Sequence, residues 1–338
     1  QLGRIEATNP CGEQPLLDYE ACNLGSINLA RFVRDGRLDE SAFAETVRLA
    51  VRFLDDVIEV NNYVAEPIER ICRGNRKVGL GVMGLADALA MLEIGYDSDE
   101  AIAFAGRTAR LLTESAFDAS ESLAGERGSF PNWEGSLWEP RGRKMRNAAV
   151  TTVAPTGTIS IIAGCSGGIE PLFALAFWRN VLEGERLLEV NAIFRRALER
   201  RGLWDDALPQ RLAGGERFAE MSELPEDLRR VFVTAHDVPP ARHIEMQATF
   251  QQYVDGAISK TINLPTEATC DDVSVVFRQA WRSGCKGITV YRHGCRDEQP
   301  MSFEGPADSP VICPHCHVAL DARNACAKCP ECGYTICG

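Results

Sequence analysis

The sequence of 338 residues lacks a long uninterrupted apolar run. Its most apolar window, residues 78–95, is rich in glycine and is interrupted by Asp87 and Glu93. A membrane-spanning helix needs about 20 consecutive apolar residues. The window therefore predicts a buried core element, and we expect no membrane partner.

Positive charge is also scarce. The chain has 36 basic and 48 acidic residues, which gives a net charge of −12. A protein that binds nucleic acid over a broad surface carries a basic face, so this balance argues against a nucleic-acid partner. Single nucleotides remain compatible with it, because backbone amides hold a phosphate without a basic patch.

Cysteine, in contrast, is abundant, with 13 residues, of which six lie in the last 26 positions. Scattered thiols in an acidic, enzyme-like chain are typical of a reducing cytoplasm, which is the expected location. Clustered thiols indicate a metal site or redox chemistry. The composition, 45% hydrophobic and 25% charged, predicts a globular protein with a large core.

Apolar periodicity and capping residues predict three long helices. The first begins at Asp39 or Ser41 and runs to about residue 62, with one apolar face made by Phe43, Val47, Val51, Leu54 and Ile58. The second begins at a capping pair, Asp97 with Glu100, and ends near Gly125 or Gly128. The third is an amphipathic helix over residues 185–201.

A short segment near the start of the chain, NPCGEQ at residues 9–14, carries an amide, a thiol and a carboxylate at alternate positions. Alternate residues of an extended chain project to the same side. This predicts that Asn9, Cys11 and Glu13 face one substrate. Sulfur can then move hydrogen while the carboxylate handles protons and the amide holds hydroxyls. From these residues alone, an ordinary loop with a buried cysteine is the alternative.

Residues 8–30, TNPCGEQPLLDYEACNLGSINLA, resemble the catalytic loop of ribonucleotide reductases, specifically the adenosylcobalamin-dependent class. The resemblance implies that Cys11 becomes the thiyl radical that takes the 3′ hydrogen of the ribose, with Glu13 as base and Asn9 holding the substrate. Cys22 matches the family's reducing cysteine, which forms a disulfide with a second cysteine as the 2′ hydroxyl leaves as water. The implied substrate contacts are the whole turn: Asn9, Pro10, Cys11, Gly12 and Glu13.

The family's partner cysteine lies upstream of this loop, whereas only ten residues precede Cys11 here. The sequence also begins at Gln1, without a methionine. We therefore expect the chain to be the C-terminal part of a longer polypeptide, and its N-terminal half is an expected partner.

A second block, PTGTIS at residues 155–160, follows a predicted buried strand over residues 147–154. Backbone N–H groups and hydroxyls after a strand can bind a phosphate, although a plain strand-to-helix turn has the same composition. The block resembles the family's loop for the substrate phosphates, which implies binding by Pro155, Thr156, Gly157, Thr158, Ile159 and Ser160. The next block, GCSGGIEP, also resembles the family, but no catalytic step is assigned to its Cys165 or Glu170.

A late predicted strand, residues 287–292, helps to separate subclasses. Family members that import a radical from a second subunit use two adjacent tyrosines in the corresponding strand. Here Val290 precedes a single Tyr291. This departure implies a radical generated within the same chain, from bound adenosylcobalamin.

The tail begins with residues 298–310, which are poor in apolar residues, contain three prolines and predict a flexible linker. Two C-x-x-C pairs follow, which predict a zinc site with four thiolate ligands: Cys313, Cys316, Cys329 and Cys332. His315 and His317 are second-choice ligands. So short a unit buries little surface, so the metal has to supply its folding energy.

Two tail thiols remain, Cys326 and Cys337, and they are the candidates for disulfide exchange. A mobile tail of this kind can reduce the disulfide at Cys22 and then be reduced by a thioredoxin-like dithiol protein. Cys332 with Cys337 is the competing pair, because it has the C-x4-C spacing of related reductases. For the tail as a whole, a plain zinc ribbon used for binding is the alternative.

The matching blocks follow the family's order over nearly the whole chain. They imply an α/β fold, the C-terminal half of a ten-stranded α/β barrel with a central catalytic loop over residues 1–297, followed by the linker and a zinc ribbon over residues 311–338. The implied activity is reduction of ribonucleoside diphosphates to 2′-deoxyribonucleotides for DNA synthesis, in an enzyme expected to form a homodimer. The alternatives are another radical enzyme of the same barrel fold and a non-catalytic truncated or split half.

Overall fold

The computed structural model describes residues 2–180, 186–295, 313, 315–316, 318, 321–323 and 326–337. The chain forms two compact units. The first comprises Gln1–Leu175, Val190–Trp204 and Arg217–Gln299, and the second comprises Ala176–Glu189, Asp205–Glu216 and Pro300–Gly338. The predicted linker, residues 298–310, lies outside the described residues.

Strands and helices are interspersed along the chain. The strands are β1 (Ala7–Thr8), β2 (Pro15–Leu16), β3 (Asn23–Asn28), β4 (Val33–Arg34), β5 (Arg37–Leu38), β6 (Val78–Met83), β7 (Ala176–Asn180), β8 (Arg186–Val190), β9 (Thr261–Leu264), β10 (Thr289–Arg292), β11 (Asp321–Arg323), β12 (Cys326–Lys328) and β13 (Thr335–Cys337). The helices are α1 (Glu40–Val60), α2 (Glu66–Asn75), α3 (Leu85–Met91), α4 (Asp99–Arg127), α5 (Gly157–Ala163), α6 (Ala192–Arg200), α7 (Leu208–Ala213), α8 (Glu226–Val231), α9 (Pro240–Gln251) and α10 (Cys270–Arg282).

A parallel arrangement of strands forms the centre of the first unit. β3 pairs with β6, from Asn23 opposite Val78 to Asn28 opposite Met83. Single parallel bridges join Leu80 of β6 to Thr151, and Val153 to Ile258. The chain then enters β9, which pairs in parallel with β10. Parallel strands connected through helices confirm the α/β class predicted from the sequence.

Glycine in β6 permits the close approach of the neighbouring segment, residues 151–153. Every residue of Val78–Met83 is buried. A Cβ atom at Gly81 would lie 2.2 Å from the carbonyl oxygen of Thr152, which is far inside van der Waals contact. Glycine at position 81 is therefore required by packing, and this strand is part of the buried core element that the sequence predicted over residues 78–95.

The long helices cover one side of this arrangement. α1 buries all five residues of its predicted apolar face, and the side chain of Asp39 caps it by accepting from the Ala42 N–H at 3.0 Å. α4 packs against α1. The cap of α4 is Ser98, not the predicted Asp97, because the Ser98 hydroxyl reaches the N–H of Ala101 at 3.1 Å.

A buried ion network links α1 to β6 and to the segment that follows α4. Asp55 of α1 is fully buried, and its carboxylate accepts from Arg76 Nε at 2.9 Å and from Arg146 Nε at 3.3 Å. Asn147 Nδ2 also donates to Asp55, at 3.0 Å. A buried charge with several charge-assisted partners fixes the relative placement of these elements.

The single helix predicted over residues 185–201 is wrong. The chain forms β8 first, and the helix α6 begins only at Ala192. The reason is Asn191, whose Oδ1 accepts from the N–H groups of Ile193 and Phe194, both at 2.9 Å. An asparagine in this position caps a helix and ends the preceding element. Residue 185 itself lies outside the described residues.

The second unit contains β7 paired with β8, α7, and a three-stranded antiparallel sheet in the order β11–β12–β13. In this small sheet Cys326 lies opposite Cys337 in the backbone register. Among the helices of the described residues, none is long and apolar enough to cross a bilayer.

Candidate active site

The predicted catalytic segment forms the tip of a hairpin between β1 and β2. Asn9 Oδ1 accepts from the backbone N–H of Gln14 at 3.0 Å, and Gly12 donates its N–H to the Asn9 carbonyl at 3.0 Å. Gly12 has φ +83°, in the left-handed region that glycine adopts without a steric penalty. The local sequence therefore encodes a tight turn.

The extended conformation predicted for this segment is wrong, because the Asn9 side chain and Gly12 close the chain into a turn. Cys11 is exposed at the tip, Asn9 is half-buried, and Glu13 is only 2% exposed. The structure still brings the three side chains together within one turn. It gives each a different environment: an accessible thiol, a partly covered amide and a buried carboxylate.

Glu13 is attached to the parallel strands through its backbone. Its carbonyl oxygen accepts from the hydroxyl of Thr152 at 2.9 Å and from the N–H of Ala257 at 2.8 Å. Its carboxylate oxygen Oε2 is buried and has no hydrogen-bond partner among the described residues. A buried, unpaired carboxylate oxygen costs free energy. It is therefore suited to accept a hydrogen bond from a bound ligand.

Cys22 immediately precedes β3. Its side chain is half-buried, and the thiol donates to the Asn23 carbonyl at 3.4 Å. Burial raises the pKa of the Cys22 thiol well above its usual range; Lys77 opposes this shift, while Glu20, Cys72 and Glu13 add to it. The thiol is consequently protonated at neutral pH. Glu13, in the hairpin turn, is thus among the charges that act on Cys22.

Residues 155–160 follow the segment that holds Glu13. Thr156 has φ +55°, and its hydroxyl accepts from the N–H of Gly168 at 2.8 Å. The short helix α5 starts directly afterwards, with Gly157, Thr158 and Ile159 exposed. The first N–H groups of a helix have no partner within it. This segment therefore presents backbone donors to the surface from Gly157 onward, five residues beyond Thr152.

A buried charge cluster supports the next segment, residues 164–170, and the sequence did not reveal it. Lys260 is fully buried, and its Nζ lies 2.5 Å from Glu170 Oε2 and 2.8 Å from His243 Nδ1. The other Glu170 oxygen accepts from the N–H of Thr261 at 2.6 Å. Desolvation by burial, together with Lys260, lowers the pKa of His243 to about 3, so its imidazole is neutral.

In the second unit, the four tail cysteines predicted as metal ligands come together. The Sγ atoms of Cys313, Cys316, Cys329 and Cys332 all lie within 4.8 Å of one another. The N–H of Cys313 donates to Val318 and that of Cys329 donates to Tyr334, which closes both C-x-x-C turns. This donor set fits a tetrahedral metal ion. The ring of His315 packs against Tyr334, with centroids 5.2 Å apart. His317 lies outside the described residues.

A family model described as "Ribonucleotide reductase, barrel domain" matches residues 1–144 and 139–291. A vitamin B12-dependent ribonucleoside-diphosphate reductase of Thermoplasma acidophilum is 50% identical over 302 residues, which cover 89% of this chain and 39% of that protein. The enzyme of the same name from Mycobacterium tuberculosis H37Rv is 51% identical over 304 residues, covering 90% of this chain and 43% of that protein. The chain thus spans about two fifths of the length of these relatives.

Among solved structures, the class Id ribonucleotide reductase alpha subunit of Actinobacillus ureae superposes with a TM-score of 0.71 at 23% identity. The superposition covers 86% of this chain and 54% of that subunit. At this identity the likeness establishes the fold. The family match extends over most of the chain and includes the hairpin turn at Cys11 and the strands that hold Glu13. The chain therefore belongs to the ribonucleotide reductase barrel-domain family.

Proposed function

We propose that this chain is the thiol-bearing part of a ribonucleotide reductase that converts ribonucleoside diphosphates to 2′-deoxyribonucleotides. The observation that carries the proposal is the hairpin turn, which exposes the Cys11 thiol while it buries the Glu13 carboxylate with one oxygen unpaired. A radical abstraction step needs an accessible sulfur, and a base needs a free lone pair near the substrate. Both conditions are met within three residues.

The proposed chemistry assigns a separate task to each side chain. The Cys11 sulfur, as a thiyl radical, takes the 3′ hydrogen of the ribose, and Glu13 accepts the proton of a ribose hydroxyl. Asn9 uses its Oδ1 within the turn, which leaves its Nδ2 group to hold a substrate hydroxyl. The 2′ hydroxyl leaves as water while Cys22 and a second cysteine supply two electrons and become a disulfide. The protonated state of the Cys22 thiol suits this donor role.

Substrate phosphates are assigned to residues 155–160. The exposed start of α5 and the exposed Thr158 provide N–H and hydroxyl donors of the kind that phosphates accept. Thr156 and Ser160 are buried and flank these donors. The link through Thr152 supports the assignment, since this residue binds the Glu13 carbonyl only three positions before Pro155.

Adenosylcobalamin is the proposed cofactor, because the two relatives named above are vitamin B12-dependent. When bound, it supplies the radical that Cys11 uses. Two observations support this cofactor. Cys11 is exposed at the hairpin tip, which leaves its thiol open to a large cofactor. Tyr291 has Val290 and Arg292 as its chain neighbours, so β10 lacks the pair of adjacent tyrosines used by family members that import a radical. We assign the binding of the cofactor by this chain to the residues around Cys11.

The tail is proposed to bind zinc through its four clustered thiolates and to carry the exchange pair Cys326 and Cys337. The backbone register supports this pair over Cys332 with Cys337, because Cys326 and Cys337 lie directly opposite each other on β12 and β13. A thioredoxin-like dithiol protein would then reduce the pair in a reducing cytoplasm.

The direct test is deoxynucleotide formation from a ribonucleoside diphosphate with adenosylcobalamin and dithiothreitol. The chain is assayed alone and together with the N-terminal part of a vitamin B12-dependent relative. We expect product from the combined sample and none when Cys11→Ser replaces the wild-type chain. Absence of product in the combined sample, with the chain folded and the cofactor bound, would contradict the proposed function.

A further inference from the structure

A buried ion pair lies beside Cys22. Lys77 Nζ is 2.6 Å from Glu20 Oε2, and the side chains are 19% and 0% exposed, respectively. Glu20 also accepts from the N–H of Leu17 at 2.9 Å and from Asn75 Nδ2 at 2.6 Å. The carboxylate is thus fixed by three donors. A buried ion pair contributes little net stability compared with well-packed apolar groups. A role in the chemistry of the neighbouring Cys22 thiol would account for this pair.

Strand register places Lys77 and Cys22 side by side. Asn23 is the parallel partner of Val78, and Cys22 and Lys77 are the residues immediately before them. Partners in neighbouring strands project to the same face of a sheet, and successive residues alternate between faces. Cys22 and Lys77 therefore share one face at the start of the β3–β6 pair.

That face is the one that carries the catalytic turn. Asn23 points the other way, toward the helices, because its Nδ2 donates to the carbonyl of Leu54 in α1 at 2.8 Å. On the opposite face, a Cβ atom at Gly79 would lie 2.5 Å from Nε2 of Gln14, the last residue of the turn. By alternation, Lys77 has the same orientation as Gly79. The Lys77 ammonium group thus lies on the side of the sheet where the reaction is proposed to occur.

The charges that act on Cys22 come from the residues just before β3 and β6, from α2 and from the turn. Lys77 is the cation among them and lowers the pKa of the Cys22 thiol, whereas burial, Glu20, Cys72 and Glu13 raise it. Loss of the Lys77 charge would leave the sulfur among groups that all oppose ionisation. The thiolate form of Cys22 therefore depends on this lysine.

We propose that Lys77 is a positioning residue for the Cys22 sulfur: its ammonium group, held in place by Glu20, stabilises the thiolate that departs when a dithiol reduces the disulfide formed at Cys22. The inference rests on the proposed function, which generates that disulfide. The attacking thiolate bonds to the partner sulfur, the bond to Cys22 breaks, and Cys22 leaves with the electron pair and is then protonated. The second thiolate of the reductant then attacks the reductant's first sulfur and displaces the partner cysteine as a thiolate, which is protonated, so one disulfide is reduced and one dithiol is oxidised. A better-stabilised leaving thiolate departs faster.

The test follows alkylation of Cys22 by iodoacetamide in the folded chain, between about pH 8 and pH 10, with peptide mass spectrometry as the readout. Lys77→Met is compared with Lys77→Arg and with Lys144→Met, which removes an exposed lysine that stacks on Trp133. Each unit of raised thiol pKa reduces the thiolate about tenfold, partly offset by higher nucleophilicity, so we expect Lys77→Met to slow Cys22 by roughly three- to fourfold per unit. Lys77→Arg keeps the charge and retains the wild-type rate, as does Lys144→Met.

The direction of the change in the Cys22 alkylation rate distinguishes loss of the Lys77 charge, which slows alkylation, from loosening of the fold, which speeds it. A loosened structure would expose Cys22 and speed its alkylation, and it would do the same to Cys285. The pKa of the Cys285 thiol is raised to about 11 by burial alone, which makes it an internal reference.

An unchanged Cys22 rate in Lys77→Met overturns the inference, and so does a rate increase shared with Cys285. A Cys22 that stays unreactive at every pH in all variants also overturns it, because no thiolate then forms. Alkylation needs no turnover, so the two proposals can fail separately. Slower alkylation in Lys77→Met together with no deoxynucleotide formation supports Lys77 as the group that stabilises the sulfur and contradicts the proposed function.

Discussion

Cysteine is used in two different ways in the two units of this chain. Around Cys22, the protein surrounds a single sulfur with a buried ion pair and the hydrogen bonds that hold it. In the tail, four sulfur atoms lie within 4.8 Å of one another, and their small core consists of Cys313 and Cys329 with Cys316, Val318 and Tyr334 packed against them. The first environment is maintained by a large folded unit. The second has too little apolar surface to fold without help.

The comparison is tested most strongly at Cys11, the one sulfur proposed to carry a radical. Cys11→Ser keeps the turn, because the hydrogen bonds that close it come from Asn9 and Gly12. We expect no detectable deoxynucleotide formation, together with a change of less than about 0.5 kcal/mol in the free energy of unfolding. Turnover assays and urea unfolding measure the two effects. Cys270→Ser, at another exposed thiol, is the matched control and should keep full activity.

Metal removal should have the next largest effect, and it should affect only the tail of the second unit. A structural zinc ion contributes about 10–16 kcal/mol in comparable small sites, so a strong chelator should unfold the tail and leave the first unit intact. Alkylation of Cys313 and Cys329, which are now buried, should become fast, while the buried Cys72 stays protected. Elemental analysis that finds no bound metal, or a tail that stays protected after chelation, would contradict the zinc assignment.

The first unit should instead be sensitive to loss of a buried charge. Asp55→Asn removes the fully buried anion that pairs with Arg76 and Arg146 and leaves the half-exposed Glu59 as the carboxylate beside them. Breaking this buried pair should cost about 3 kcal/mol of unfolding free energy. The neighbouring Asp56→Asn removes a carboxylate that is 49% exposed and pairs with Arg127, so its cost should be below about 1 kcal/mol. Urea unfolding of both variants measures the contrast, and equal losses would refute it.

A smaller effect is expected from Asp255, whose carboxylate accepts from the N–H groups of Val150 and Thr151. Burial raises the pKa of Asp255 to about 6, from 3.8 for an unperturbed side chain. Because the folded-state pKa is the higher one, its stabilising contribution is complete below about pH 4 and is lost as the pH rises through about 6.

Asp255→Asn removes this titration. We expect its unfolding free energy relative to wild type to rise by about 2–3 kcal/mol between about pH 4 and pH 7 and then to level off. Chemical denaturation at several pH values measures the difference. A difference that does not vary with pH would show that the carboxylate titrates normally in the folded protein.

The sequence predicted well where the signal is local. The apolar face of α1, the glycines of β6 and the cysteine spacing of the tail each depend on residues close together in the chain. Asn191 was missed as a helix cap because charged residues continue the amphipathic pattern on both sides of it. The conformation of residues 9–14 was missed because the Asn9 side chain, not the alternation of residue types, decides it.

Long-range pairing explains most of what stayed hidden. The partners of Asp55 lie 21 and 91 positions away, and those of Lys260 lie 17 and 90 positions away. No periodicity or spacing in the sequence connects them. Burial of a lysine becomes visible only when the fold supplies its carboxylate. For the same reason, Lys77 appears in sequence as an ordinary basic residue before a strand.

The double anchor of the Glu13 carbonyl has a consequence for the order of folding. Thr152 lies 139 positions away in the chain, and Ala257 is more distant still. Contacts of such large sequence separation form slowly, because the entropy of loop closure opposes them. The turn itself closes through local hydrogen bonds, but its anchoring to the rest of the fold is completed only after the central strands have met. Protection of the Ala257 amide from hydrogen exchange would report that step.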